Sequence, residues 1–483
     1  MKKHLAAFIA AALGFAACAV PVYADYSGLE HGDLFYEIAD DGHIIITDCH
    51  ESAEKMDVPA EIDGAPVTEI ADSAFADCTM LESVTLPESI TKIGRQAFST
   101  CTSLESIDMP KELEYMGAGV FDECSSLKEV IFPSGITELP EATFYECTSL
   151  EGVILPEGVE LIGPESFYMC SSLSQVTFPE SVTSIGDYAF QGCGSMKSID
   201  FPAATVNLGK YIFQDCISLT DINVAEENEM FCDDNGVLFT RDGVTLVRYP
   251  EAKEDTSYRV PDGCTQLANG SFVDAVNLKE IDLNQAVIYG MDVFFRCTGI
   301  EEITVPEGAV DISSSMFAYC SSLKNVELPS TVVNIYDYAF YTCAGFEEFT
   351  VPEGTQHIGA YAFFNCIGLK KLHLPDSIKE LGDGAMGYYA ETEDTEPQKL
   401  PGFVVEYDHN DVIYEFAKLY DLEGTGRGDS DLWKWLAIGA GVIVLVGAIV
   451  FIVIQRRKAM IPKPVKGGRT GSETKRPDAK KKG

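Results

Sequence analysis

Basic residues are scarce in this chain, and the short patterns that mark catalytic centres are missing. Its 34 Lys and Arg stand against 76 Asp and Glu, a formal net charge of −42. The few cations are unevenly placed: after Gln455 come 11 Lys and Arg against only Glu473 and Asp478, a balance of +9. Setting aside that tail with Lys2, Lys3 and Lys434 leaves 20 basic and 74 acidic residues, a balance of −54. So acidic a surface repels polyanions, which excludes a DNA- or RNA-binding role for it. His31, His43, His50, His357, His373 and His409 are spread without H-E-x-x-H or related spacing. There is neither a G-x-S-x-G elbow nor a glycine loop able to cradle phosphate. No C-x-x-C pair or Cys/His cluster points to zinc. Asp233-Asp234-Asn235-Gly236 could suggest calcium, but a tight hairpin turn needs the same residues. The carboxylates recur at exposed repeat positions, as a solvated face requires. No enzymatic activity, cofactor or metal is expected.

Long apolar runs stand at the two ends. Lys2 and Lys3 precede one from Leu5 to Val20, and Val22-Tyr23-Ala24 offers small residues where a signal peptidase reads, so residues 1–24 read as a secretory signal peptide. Lipid modification of Cys18 fits less well, because Phe15 is a poor residue three positions ahead of it. Residues 435–454 are apolar or glycine throughout; about 20 residues of helix span roughly 30 Å, a bilayer's hydrocarbon thickness. Trp433 and Trp435 sit where an interfacial aromatic belt belongs, and Arg456, Arg457 and Lys458 place the following end in the cytoplasm. The tail, residues 455–483, is rich in Lys, Pro and Gly; it is expected to be disordered and drawn to anionic lipid headgroups. No L-P-x-T-G signal precedes the span, so the helix should be retained as the anchor.

Between these ends one pattern repeats. Phe75, Phe98, Phe121, Phe144, Phe167, Phe190 and Phe213 are each 23 residues apart, and three residues after each stands Cys78, Cys101, Cys124, Cys147, Cys170, Cys193 or Cys216. The series resumes at Phe272, with Ala275 in the cysteine's place, then continues through Phe294/Cys297, Phe317/Cys320, Phe340/Cys343 and Phe363/Cys366. A fixed period in the twenties means a solenoid in which each repeat is one coil. Leu81-Glu82-Ser83-Val84-Thr85-Leu86-Pro87 alternates like a short strand with one buried face. Ile90-Thr91-Lys92-Ile93-Gly94 offers a second extended piece ending at a glycine turn. Coils stacked about 4.8 Å apart turn equivalent residues into continuous internal columns.

Phe-x-x-Cys-x-x-Leu-x-x-Val-x-Leu-Pro, with Ile-Gly-x-x-Ala-Phe ahead of the next coil, resembles the BspA-like bacterial leucine-rich repeat family from about Ile44 to Leu422. Residues 58–67 resemble that family's first coil, residues 235–250 its inserted hairpin, and Val404 to Lys418 its closing strand and helix. The expected fold is therefore a β-rich leucine-rich-repeat solenoid of short parallel strands, with caps at both ends and one C-terminal transmembrane helix. Its parts would be a cap over 25–67, repeats over 68–223, a hairpin over 224–259, repeats over 260–388, a closing cap over 389–424 and a polar stalk over 425–434. Asp408 or Asn410 would cap the closing helix, with Val412, Ile413, Phe416 and Leu419 facing the last coil.

Cysteines at one repeat position beside buried Phe and Leu should be packed free thiols. Cys49, Cys232 and Cys264 fall outside that position, and a Cys232–Cys264 bridge is left open. Arg427-Gly428-Asp429 spells an integrin-recognition tripeptide, which a Gly/Asp-rich linker beside a membrane generates by chance. The resemblance implies an extracellular, single-pass surface protein of adhesin or receptor type, with a protein or surface ligand as partner. The alternative is an envelope scaffold holding a membrane or cell-wall partner. Binding should use the second and fourth positions after the strand leucine, which alternation points outward. There Ile131 and Ile154 are apolar where solvent favours polar residues. Glu280, Asp282, Glu302, Glu327 and Glu348 gather negative charge before Lys371 and His373 reverse it.

Overall fold

The structure, a computed structural model, describes residues 28–392 and 395–426. Both apolar end runs, the Arg427-Gly428-Asp429 tripeptide, most of the stalk and the basic tail lie outside the described residues. Among those described, no helix is long and apolar enough to cross a membrane.

Each coil has three sides. The first is a three-residue strand centred on the buried valine or isoleucine, as in Ser83–Thr85, Ser106–Asp108 and Glu129–Ile131. These pair in parallel with a shift of one repeat, Glu129 opposite Ser106 and Ile131 opposite Asp108. The second side is a two-residue strand such as Lys92–Ile93, which pairs in parallel with Tyr115–Met116 of the next coil. Glycine closes this side because the coils nearly touch: a Cβ on Gly94 would lie 2.4 Å from the Asp72 nitrogen. Where Pro140 replaces that glycine there is no N–H to donate, and Tyr115–Met116 and Glu138–Leu139 fall in different sheets.

The third side carries neither helix nor strand. Ser73 and Asp77 adopt left-handed backbone, φ 59° and 61°, as do Gln96 and Thr100 one coil on, φ 53° and 60°. Such a conformation costs an L-residue about 1–2 kcal/mol. Here it aims successive N–H groups at the next coil, Ser73 to the Arg95 carbonyl (2.9 Å), Phe75 to Ala97 (2.8 Å) and Asp77 to Ser99 (2.9 Å). Bonds between coils thus run along all three sides, while turn bonds such as Ala76 N–H to the Ser73 carbonyl (3.0 Å) and Leu81 N–H to the Cys78 carbonyl (3.0 Å) close each coil on itself.

Side chains fill the space enclosed. The Phe rings stack face to face, centroids 4.9 Å apart for Phe75–Phe98 and 5.1 Å for Phe167–Phe190. Leu, Val and Ile columns run beside them, all buried. At the N-terminal end, Leu34–Ile38 pairs antiparallel with Ile44–Cys49, which pairs in parallel with Ala65–Ile70 and so covers the first coil. At the other end a helix over Asp411–Leu419 is capped by Asn410, whose side chain accepts from the Ile413 N–H at 3.0 Å. Its buried face is Ile413, Phe416 and Ala417. Val412 and Leu419, expected on that face, are exposed instead: 37% and 39% of their surface meets solvent. At about 100° per residue, Val412 and Leu419 fall together just beyond the Phe416 edge of that buried stripe.

The insertion divides the array. Phe231–Asp234 and Val237–Thr240 form a hairpin around Asn235 and Gly236, both in left-handed backbone (φ 50° and 77°). Thr245–Arg248 pairs antiparallel with the second hairpin strand and parallel with Gln266–Leu267, so the insertion is the first rung of the second ladder. Tyr249 takes the place of a phenylalanine, stacking on Phe272 at 5.3 Å. From here Arg248 reaches both arrays: Nη2 donates to the Phe213 carbonyl (3.1 Å) and Nη1 to the Gly270 carbonyl (2.5 Å).

Candidate binding groove

The ladder cysteines are free and buried. From Cys101 onward each thiol donates to the carbonyl of the phenylalanine one coil earlier, Cys147 to Phe121 and Cys170 to Phe144 at 3.0 Å, Cys297 to Phe272 at 2.9 Å. From Cys124 onward burial pushes these thiols up, Cys320 and Cys366 to about 12, so they remain protonated donors and poor nucleophiles. Cys49, expected outside the ladder, is buried and free at its N-terminal end, its thiol interacting with that of Cys78. Cys232 and Cys264 are free, with thiols directed to the Thr240 and Gln266 carbonyls at 3.6 and 3.5 Å.

The first side of the coils presents two regular outward columns. In each strand the central residue is buried while its neighbours face out, as in Ser83, Val84 and Thr85. Ile131 and Ile154 are 55% and 75% exposed. They occupy consecutive coils and line one groove of about 690 Å³, floored by Val130, Val153 and Phe132 and bounded by Gln175 and Thr177. Gly152 belongs to the same groove. A Cβ there would be 3.5 Å from the Gln175 carbonyl, an ordinary contact, so packing does not demand glycine and its missing side chain leaves the groove open. Glu129–Ile131 and Gly152–Ile154 also fall in separate sheets, the ladder being interrupted between them.

Charge in the groove is unbalanced. Lys128 lies on its rim, but its Nζ is 3.0 Å from Glu105 on the preceding coil. Glu129 and Glu151 have no such counter-ion among the described residues. The sequence pointed to the two isoleucines. Gly152, Glu129 and Glu151 were missed; the one available signal was glycine at an outward strand position where neighbouring coils carry Ser83, Ser106 and Gln175.

The acidic stretch farther along is a different surface. Glu280, Glu302, Glu348 and Lys371 occupy one outward column and Asp282, Glu327 and His373 the other, with Asn325, Thr304 and Thr350 between them. Asp282 lies 3.1 Å from Arg259, and Glu327 accepts from Thr304 at 3.2 Å. Lys371 and His373 were expected to reverse the charge. Instead Glu406 of the closing strand answers them, 3.5 Å from the Lys371 ammonium and 2.9 Å from His373 Nδ1, while Glu348 lies 3.8 Å from Lys371. These residues form a partly neutralised surface.

Comparison places this geometry among known proteins. A leucine rich cell surface protein from Faecalibacterium prausnitzii superposes with TM-score 0.58 at 23% identity, over 86% of this chain and 98% of that one. A leucine-rich repeat protein from Bacteroides ovatus gives 0.56 at 23%, over 83% and 99%. The pneumococcal vaccine antigen PcpA gives 0.52 at 21%, over 83% and 98%. At these identities the likeness is one of fold. No curated protein matches the sequence. The pattern of the BspA type leucine rich repeat region matches residues 60–158, 137–235 and 265–393, well over half of the chain, and that family is one of repeats, with no catalytic family indicated. The chain belongs to the BspA-type leucine-rich repeat family.

Proposed function

We propose that this protein is a cell-surface recognition protein, secreted by its N-terminal signal and held by the span at 435–454, whose outward strand face binds an extracellular protein. The observation that carries this reading is the pairing of Ile131 and Ile154, 55% and 75% exposed on an otherwise polar face and lining one groove. Full burial of such a side chain contributes about 1.5–3 kcal/mol, which a soluble solenoid gains only when a partner covers it. The acidity of the rest keeps a long exposed solenoid soluble and discourages nonspecific contact with nucleic acid. Catalysis is not part of the proposal, since a repeat family on a scaffold of stacked coils gives no reason to expect it.

Two measurements test it. Protease added to intact cells should remove the repeats and leave a fragment containing the basic tail; full protection would place the repeats inside. Residues 25–431, used as bait against extracellular proteins, should retain a ligand that is lost when Ile131 and Ile154 become serine. Recovery of a stoichiometric membrane protein with no extracellular ligand would favour a scaffold holding an envelope partner instead.

A further inference from the structure

We infer that the groove between Ile131 and Ile154 receives an extended basic segment of the partner protein, with one aliphatic or aromatic side chain seated over Gly152 and Lys or Arg residues beside it. The inference rests on the surface-recognition reading and adds the chemistry of the ligand.

Three features of the site support it. The walls are aliphatic and the middle is empty, because Gly152 has room for a side chain but carries none. A single apolar anchor therefore fits where a flat surface would offer only scattered contact. The rims are acidic: Glu129 and Glu151 line the groove, and Lys128, next to Glu129, is bound to Glu105 on the preceding coil at 3.0 Å. Two carboxylates with no counter-ion among the described residues, on a chain whose exterior balance is −54, attract a cationic segment and repel an acidic one. Finally, the groove runs across the coils, bounded by strands of three successive repeats, Glu129–Ile131, Gly152–Ile154 and Gln175–Thr177. Paired strands lie about 4.8 Å apart, and Glu129–Ile131 and Gly152–Ile154 are not paired, so the three strands offer at least roughly 10 Å, the length of about three extended residues. A short extended segment fits this opening.

The test uses the full chain in detergent and a display library of random peptides of about twelve residues. Selected peptides should carry a Leu, Ile, Phe or Tyr flanked by Lys or Arg. Their affinity should fall at least tenfold with Ile131→Ser/Ile154→Ser, the salt dependence being retained. It should fall severalfold with Glu129→Gln/Glu151→Gln, and binding should then become nearly insensitive to salt. Both pairs of positions are on the surface, and unchanged melting of each variant verifies that the fold is intact. Selection of acidic peptides, of peptides without an apolar residue, or of none that respond to these substitutions would overturn the inference. An extracellular ligand captured equally well by wild type and by Ile131→Ser/Ile154→Ser would sink the groove yet leave surface recognition standing; failure to capture any extracellular ligand would sink recognition itself.

Discussion

The two arrays that flank the hairpin share a core and differ in almost everything outside it. In both, Phe rings stack at similar spacing, 5.4 Å for Phe144–Phe167 and 5.3 Å for Phe317–Phe340, and cysteine thiols donate to phenylalanine carbonyls. Outside, the first array carries the open apolar groove of Ile131 and Ile154, while the second carries charged pairs on the corresponding strands. On the third side the second array builds an extra apolar layer from Tyr341, Phe364, Ala318 and Ala390, with Phe295, Tyr319, Tyr338 and Tyr361 packed against it. The same register in the first array holds Ser99, Asp122 and Gln191, relieved by the stacked pair Tyr145–Tyr168 at 4.7 Å. Inward positions set the backbone and tolerate little change. Outward positions, freed from that duty, are where two arrays of one design diverge.

The largest effect that could break this comparison comes from the shared core. Phe144→Ala or Phe317→Ala should each cost roughly 3–5 kcal/mol. Because each coil contacts mainly its neighbours, and the buried residues form two clusters divided near Phe231 and Val237, damage should stay in the mutated array. Hydrogen exchange read coil by coil would show it. Equal loss of protection in both arrays after either substitution would mean that the insertion does not separate them.

A smaller effect is expected at the joint. Arg248 and Glu251 are buried there, 2.5 Å apart, with Arg296 bonded to Asp215 and Asp274 nearby. Burial, aided by Asp274 and Asp215, raises the Glu251 carboxyl to about 7, although Arg248 and Arg296 act to lower it. The folded state therefore holds a proton there that the unfolded chain releases near the ordinary carboxylate value. The stabilisation is full below that value and is lost as pH rises toward 7. Glu251→Gln should flatten this slope and raise the midpoint of thermal unfolding at pH 8, by an amount corresponding to a few kcal/mol at most. A variant with the same slope as wild type would locate the titration in another group.

Sequence reading found what is periodic and apolar. The 23-residue spacing revealed the Phe, Cys and Leu columns, alternation around Val84 revealed the strand face, and Asn235-Gly236 the hairpin. The third side was not legible, because the left-handed residues Ser73, Asp77, Gln96 and Thr100 have no glycine to announce them; the conformation is imposed by bonds to the next coil. Tyr249 and Cys49 also escaped: Tyr249 keeps the 23-residue spacing to Phe272 but is not a phenylalanine and follows Phe213 by 36 residues, and Cys49 precedes Cys78 by 29. Of the groove, the isoleucines could be foreseen from their strand position. The neutralisation of Lys371 and His373 by Glu406 could not, because the closing strand reaches them only in three dimensions.

The smallest expected effect compares one atom between the arrays. Cys147 donates to the Phe121 carbonyl at 3.0 Å, whereas the second array begins with Ala275 at the same position, buried to 1% exposure. Cys147→Ala removes one weak hydrogen bond and leaves a small void, about 1–2 kcal/mol together. The reverse change, Ala275→Cys, tests whether the ladder could have continued. Its thiol would follow Tyr249 by the same 26 residues that separate Cys147 from Phe121, and Tyr249 stacks on Phe272 as a phenylalanine would. The expected outcome is a gain of about 0.5–1 kcal/mol in chemical denaturation. Thiol labelling adds an independent reading: the native ladder, and the new cysteine with it, should stay unreactive until the protein is unfolded. A loss of stability, or a new thiol that reacts in the native state, would mean that the coil after the hairpin is too tight for sulfur. Its spacing gives a reason to look, since Phe272 and Phe294 are 22 residues apart instead of 23, with Asn284 in left-handed backbone (φ 52°) where most coils have proline. Cys297 nevertheless keeps its bond to Phe272 at 2.9 Å, so the shortening is absorbed on the turn side and the space beside the rings is preserved.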